Sequence, residues 1–295
     1  MNRLLVAVMG KKKQKKGAQE AVAKVDENEN SSDDETPPPD EMVDVDFEAL
    51  PMHEADLEGI EQLLVQLFGK TSNVDTKPLA ELLIDQKQIG CVYKTVLPEA
   101  SQMEIDIADD DETCYEQVFG IMSFVSLTDQ KNKSSPGMTG VRSWLDSKTG
   151  NHKAVRRRVL ELWDDGRLGW ILSERFANMP HQIALPSYRS LLSDMQSASE
   201  QGLDCKVDWY LMICKLHRLK GAAAAGTKRK QTSEAESDEV YTKAEEEIFA
   251  EHADHKCDFK VDSGSGDGLD SIRRVLLIKA EKLDSILQQV EKECS

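Results

Sequence analysis

Aromatic side chains are scarce. They make up 5% of the 295 residues, while 31% are charged. A chain of this composition does not bury apolar surface along its whole length, so part of it is expected to stay unfolded. Paired cysteine motifs are missing as well. Cys91, Cys114, Cys205, Cys214, Cys257 and Cys294 include no Cys-x-x-Cys pair. Isolated thiols suit a reducing compartment and argue against a disulfide framework. There is no apolar run long enough to span a bilayer, and Met1–Gly10 falls far short of one. That stretch also lacks the charged, apolar, small order of a secretory signal, because its basic cluster follows the apolar residues. Positive charge is in deficit, with 37 basic against 54 acidic residues and a net charge of −17. Nucleic-acid affinity comes from neutralising phosphates, so the balance disfavours that class. It favours a basic partner, which opposite charge steers into encounter.

The length allows one large or two modest domains. Composition divides it into a tail over 1–42 and a single domain over 43–295, with flexible insertions near 98–116, 128–140, 220–240 and 262–270. In the tail, Lys11, Lys12, Lys13, Lys15 and Lys16 form a basic run. It reads as a nuclear localisation signal for importin, with a solvated tail as the alternative. A second cluster, Lys228-Arg229-Lys230, supports the nuclear reading. Residues 26–41 hold eight acids, three prolines and no basic residue, the composition of an acidic linker. Ser31 and Ser32 precede Asp33, Asp34 and Glu35, a pattern that acid-directed kinases prefer, and phosphorylation there deepens the charge.

From Val43 onward the periodicity becomes regular. Val43, Val45 and Phe47 alternate with acids as a half-buried strand does. Helices are expected over His53–Phe68, stopped by Gly69, and after Pro78 with Leu79, Leu82, Leu83 and Ile84. Ile89–Lys94 and Val118–Leu127 read as antiparallel strands joined by an acidic insertion. Residues 128–140 read as a linker, followed by short helices around Trp144 and Val155–Trp163. The stretch Leu168–Leu192 combines an apolar strand, a mixed loop and an amphipathic helix, with Asn178 as a cap and Pro186 opening a second helical segment. Val207–Cys214, Cys257–Val261 and Ile272–Ile278 complete the strands, and Leu283–Val290 the closing helix.

Each chemical motif has a plainer alternative. Asp109, Asp110, Asp111 and Glu112 form an acidic run without the ligand alternation and glycine of a calcium loop. His252, His255 and Cys257 could ligate zinc, but the spacing matches no standard site. Gly264, Gly266 and Gly268 lack the following helix and Lys-Ser/Thr pair of a phosphate loop. Arg156, Arg157 and Arg158 could touch nucleic acid, or form a solvated face paired with acids. Glu174 and Arg175 could be a catalytic acid and an anion clamp, or a structural ion pair or partner contacts. Acyl-CoA-dependent acetyltransfer is the enzyme class that the β/α order raises. Its pyrophosphate loop would fall at Ala177–Ala184, which has no glycine and includes Pro180, which cannot donate an amide hydrogen.

ILSERFANMPHQIALPSYRSL resembles the signature of the BCCIP family, eukaryotic nuclear proteins related to yeast Bcp. Further likeness lies in DFEALPMHEADLEGIEQLLVQLF, LLIDQKQIGCVYKT with VFGIMSFVSL, AEEEIFAEHADHKCDF and RRVLLIKAEKLDSIL. The resemblance implies an α/β (α+β) fold, a mixed central sheet flanked by helices, similar to the GCN5-related N-acetyltransferases without cofactor binding. It implies a nuclear, non-enzymatic adaptor or chaperone for a basic client such as a large-subunit ribosomal protein. On that reading Asp109–Glu112 are charge contacts. Phe176, Met179, Pro180 and Ile183 are apolar anchors or core, beside Glu174, Arg175 and Asn178. No cofactor or metal is expected.

Overall fold

The structure is a computed structural model that describes residues 4–10, 43–95, 117–164, 167–219, 239–261 and 268–294. Strands β1 (Leu4–Gly10), β2 (Val43–Leu50), β3 (Cys91–Thr95), β4 (Gly120–Ser126), β5 (Leu168–Arg175), β6 (Trp209–Leu219), β7 (Glu239–Tyr241), β8 (His255–Lys260) and β9 (Leu269–Lys279) share one sheet. Its order is β1-β2-β3-β4-β5-β6-β9-β8, with β7 also on β6. Every pairing is antiparallel except β5 with β6.

Period-two alternation sorts the strand side chains into two cores. Ile121 and Val125 of β4, Trp170 and Leu172 of β5, and Leu211 and Ile213 of β6 face one side. There they meet α1 (Leu57–Phe68), α2 (Thr76–Asp85), α4 (Pro136–Lys148) and α5 (Lys153–Asp164). Met122, Phe124, Ile171, Tyr210 and Met212 face the other side. They are covered by α6 (Ala184–Glu200), α7 (Glu245–His252) and α8 (Leu283–Glu293). A sheet covered on both faces explains why its central strands read as near-continuous apolar runs. Gly169 interrupts that run because the Phe124 ring of β4 occupies the space a Cβ would need.

The structure departs from the sequence expectations at several places. Leu4–Gly10, placed in the tail by composition, is an edge strand paired with β2 from Leu4↔Ala49 to Gly10↔Val43. Residues 128–140 are not a linker. They form α3 (Gln130–Lys133) and the start of α4. Asp129 caps α3 by accepting from Lys131 N (2.9 Å), and Ser135 caps α4 by accepting from Met138 N (3.3 Å) with Pro136 in the first turn. Asp129, Ser135 and Pro136 are helix-start chemistry. After β5, Asn178 sits in a turn and Pro180 precedes a 3-10 turn over His181–Ile183 that runs into α6, so Pro186 lies inside the helix's first turn. The insertions expected near 98–116, 220–240 and 262–270 lie mostly outside the described residues. Of the last two, Glu239–Val240 and Leu269–Asp270 belong to strands.

Candidate functional site

The one parallel contact in the sheet is incomplete. On one side β6 pairs with β9 along its whole length, from Trp209↔Lys279 to Leu219↔Leu269. On its other side it pairs with β5 only from Leu168↔Trp209 to Trp170↔Leu211. The strands then part. Further along, β7 takes that edge of β6, from Leu216↔Tyr241 to Arg218↔Glu239. An opening is left between β5 and the middle of β6, and unpaired buried backbone groups there would be costly.

Charge fills it. Lys243 Nζ donates to the Ser173 carbonyl of β5. It also lies 3.4 Å from Glu174 Oε1 and 2.7 Å from Glu246 Oε1. Lys215 Nζ of β6 pairs with Glu174 Oε2. The Lys215 main chain is met from the same side: its N–H donates to Glu246 Oε2 (3.3 Å), and its carbonyl accepts from Thr242 N (2.9 Å). At the end of β5, Arg175 grips Glu245 with both Nη atoms, at 2.6 and 2.8 Å. All six side chains are buried. Three cations therefore face three carboxylates, the pairing that buried charge requires.

The environments divide the acids. Burial opposes ionisation of Glu174, but Lys215 and Lys243 outweigh it and hold the carboxyl below its ordinary range. Burial likewise opposes Glu245, and Arg175 wins. At Glu246 burial dominates the attraction of Lys243, and the charge on Glu174 adds to it, so the carboxyl is pushed up to about 7. Burial disfavours the Lys243 charge, yet Glu174 and Glu246 raise its pKa above the ordinary lysine value. Burial also pushes the thiol of Cys214 on β6 well up.

The loop after β5 is partly tied to itself and its neighbours. Phe176 N donates to Phe119 O (2.9 Å), Met179 N to Phe176 O (3.1 Å) and Ile183 N to Pro180 O (3.5 Å). Ala184 N bonds back to His181 O. These four amides are taken, and Pro180 has none to offer a pyrophosphate group. Two cavities lie elsewhere, one at the ends of α2 and β4 and one between the α1–α2 turn and α4.

The residues singled out from sequence thus separate. Glu174, Arg175, Met179 and Ile183 are buried and present no surface to a partner. Met179 and Ile183 take the core alternative, and Glu174 and Arg175 the structural ion-pair alternative. Phe176 is half-buried, edge-on to Phe119 at 5.9 Å, and Pro180 is half-buried. Asn178 is exposed. Asp109, Asp110, Asp111, Glu112 and the lysines of 11–16 lie outside the described residues. Arg156 pairs with Asp146 at 2.7 Å, and Arg157 and Arg158 lie 3.6 and 3.8 Å from Glu161, the acid-paired face expected of them. His252 bonds Gln289, His255 stacks on Trp209 and Cys257 is buried, so the three do not converge. Among the described residues no group of three or more His, Cys, Asp or Glu could hold a metal. Sequence reading missed Lys215, Lys243 and Glu246 as one cluster. The usable signal was Lys215 inside the apolar run LMICKL, since a buried lysine requires a partner.

Comparison with known proteins agrees with this architecture. A crystal structure of BCP1 from Saccharomyces cerevisiae superposes with a TM-score of 0.57 at 17% identity, covering 89% of this chain and 95% of that one. That likeness concerns the fold. The "BRCA2 and CDKN1A-interacting protein" of Bos taurus is 30% identical over 269 residues, spanning 86% of this chain and 85% of its own. The "Protein BCCIP homolog" of Drosophila melanogaster is 28% identical, with 85% of each chain covered. "Protein BCP1" of Debaryomyces hansenii is 26% identical, covering 86% of this chain and 87% of its own. The BCCIP family pattern itself matches residues 42–249. With the β5 signature, the mixed sheet and this coverage in agreement, the chain belongs to the BCCIP family.

Proposed function

We propose that the chain is a nuclear adaptor or chaperone for a basic client such as a large-subunit ribosomal protein, acting in ribosome biogenesis and nuclear export. The observation that carries the reading is a net charge of −17 on a fold whose sheet opening is closed by its own side chains. Excess negative charge steers a cationic partner and shields it from other polyanions. The names of mammalian relatives describe proteins that interact with other proteins, which supports a binding role here. Entry to the nucleus is assigned to Lys11, Lys12, Lys13, Lys15 and Lys16 through importin.

Acyl-CoA-dependent acetyltransfer is the competing reading. Lys243 and Glu246 already hold the backbone groups of β5 and β6 that a ligand in the opening would need, which favours the binding role. Affinity purification of the full chain from nuclear extract, read by mass spectrometry, is expected to enrich a basic large-subunit ribosomal protein. Enrichment of no basic protein overturns the proposal. Sub-millimolar heat of binding with acetyl-CoA in calorimetry supports the enzyme instead.

A further inference from the structure

A cavity of about 240 Å³ opens where α2 and β4 end, beside α3 and the turn between α6 and β6. That is below the ~300–1,000 Å³ of sites for drug-sized ligands and several times the ~30 Å³ share of one water. It suits one long side chain better than a cofactor. Its walls are apolar, from Leu82, Ile89 and Leu203. Leu203 is 45% exposed, one of three large apolar side chains so exposed among the described residues.

The polar groups are biased to one sign. Asp85, Asp129 and Asp204 line the cavity against a single cation, Lys131. Asp129 caps α3, and Asp204 accepts from Thr128 Oγ1 at 3.0 Å, so each still has acceptor capacity. Asp85 is exposed and ends α2, where the helix's own carbonyls add negative potential and a cation is favoured. Gln86 follows it in the lining.

We infer that this cavity receives a lysine or arginine side chain from an extended segment of a basic protein. The aliphatic stem lies on Leu82, Ile89 and Leu203, and the cationic head meets Asp85, Asp129 and Asp204. Long cationic side chains bury their stems along apolar surface and keep their heads near polar groups. The inference rests on the proposed function, and it names the surface that function uses.

The test is fluorescence anisotropy of the full chain with a labelled, lysine- and arginine-rich synthetic peptide free of acids. Asp85→Lys and Leu203→Ser are compared with Glu251→Lys, an exposed acid of α7 outside the cavity. All three positions are exposed, and a circular-dichroism melt checks that each variant folds. Asp85→Lys is expected to weaken binding by about tenfold or more and Leu203→Ser by about threefold or more, with Glu251→Lys close to wild type. Wild-type binding that neither cavity variant weakens overturns this inference and leaves the proposed function standing. Equal weakening by all three also overturns it, since the attraction then belongs to net charge alone. No binding by the wild type overturns both.

Discussion

The Lys243 ammonium is set against the main-chain carbonyl of Ser173, across the line where β5 and β6 part company. One side chain thus takes a position that, in a continuous sheet, the neighbouring strand's amide would hold. The segment that delivers it also delivers Glu245 to Arg175 and Glu246 to the Lys215 amide. The link between α7 and the sheet is therefore electrostatic as well as apolar.

Lys243→Met tests that link. It leaves Glu246 without its close cation and the Ser173 carbonyl without its donor. Removing one member of a buried ionic cluster costs about 3–5 kcal/mol, read as a lower urea midpoint. Lys243→Met combined with Glu246→Gln is expected to recover part of the loss, because the stranded charge is gone. A single variant as stable as wild type contradicts the assignment.

Glu246 gives the pH dependence its sign. Its carboxyl is near 4.5 when unfolded and pushed up to about 7 by burial in the folded chain. Between those values the folded state holds a proton that the unfolded state has released, so this group's contribution to stability falls as pH rises. At ~1.4 kcal/mol per pKa unit the effect is on the order of 3 kcal/mol. Glu174 and Glu245 act oppositely, their pKa values being lowered by Lys215, Lys243 and Arg175. Their contribution is present above the unfolded carboxyl range and is lost on acidification. Glu246→Gln is thus expected to reduce the loss of urea stability between about pH 5 and about pH 8. An unchanged difference between those two pH values removes Glu246 as its source.

The motif between β5 and α6 divides into core and surface. Met179 is 6% exposed among Ile171, Ile183 and Tyr188, whereas Asn178 is exposed. Met179→Ala is expected to cost about 2–5 kcal/mol, and Asn178→Ala to stay within about 0.5 kcal/mol. Thermal melts separate the two. Equal, small losses at both positions contradict the burial of Met179.

Much of the sheet was legible because its signal is local. Ile121 to Val125 and Trp170 to Leu172 alternate between two cores, so each strand had to be apolar on both faces. Gly69 ends α1 with positive φ, and its N–H bonds Val65 O, as its residue type suggests. The charged cluster was not legible. Glu174 and Lys243 are far apart in the chain, and neither sequence context points to the other. Arg175 stayed open between an anion clamp, an ion pair and a partner contact for the same reason, since local sequence shows a charge but not the Glu245 that neutralises it. The cavity at Asp85 was invisible too, because its walls come from α2, β4, α3 and the turn after α6.

The account's central claim is that this acidic chain holds a cationic protein. Its most direct test is the dissociation constant of the full chain with a purified basic large-subunit ribosomal protein, measured at low and high ionic strength. Screening of opposite charges predicts an affinity that falls by about tenfold or more between ~50 mM and ~300 mM salt. Affinity that is the same at both, or no measurable complex at the lower, contradicts the claim.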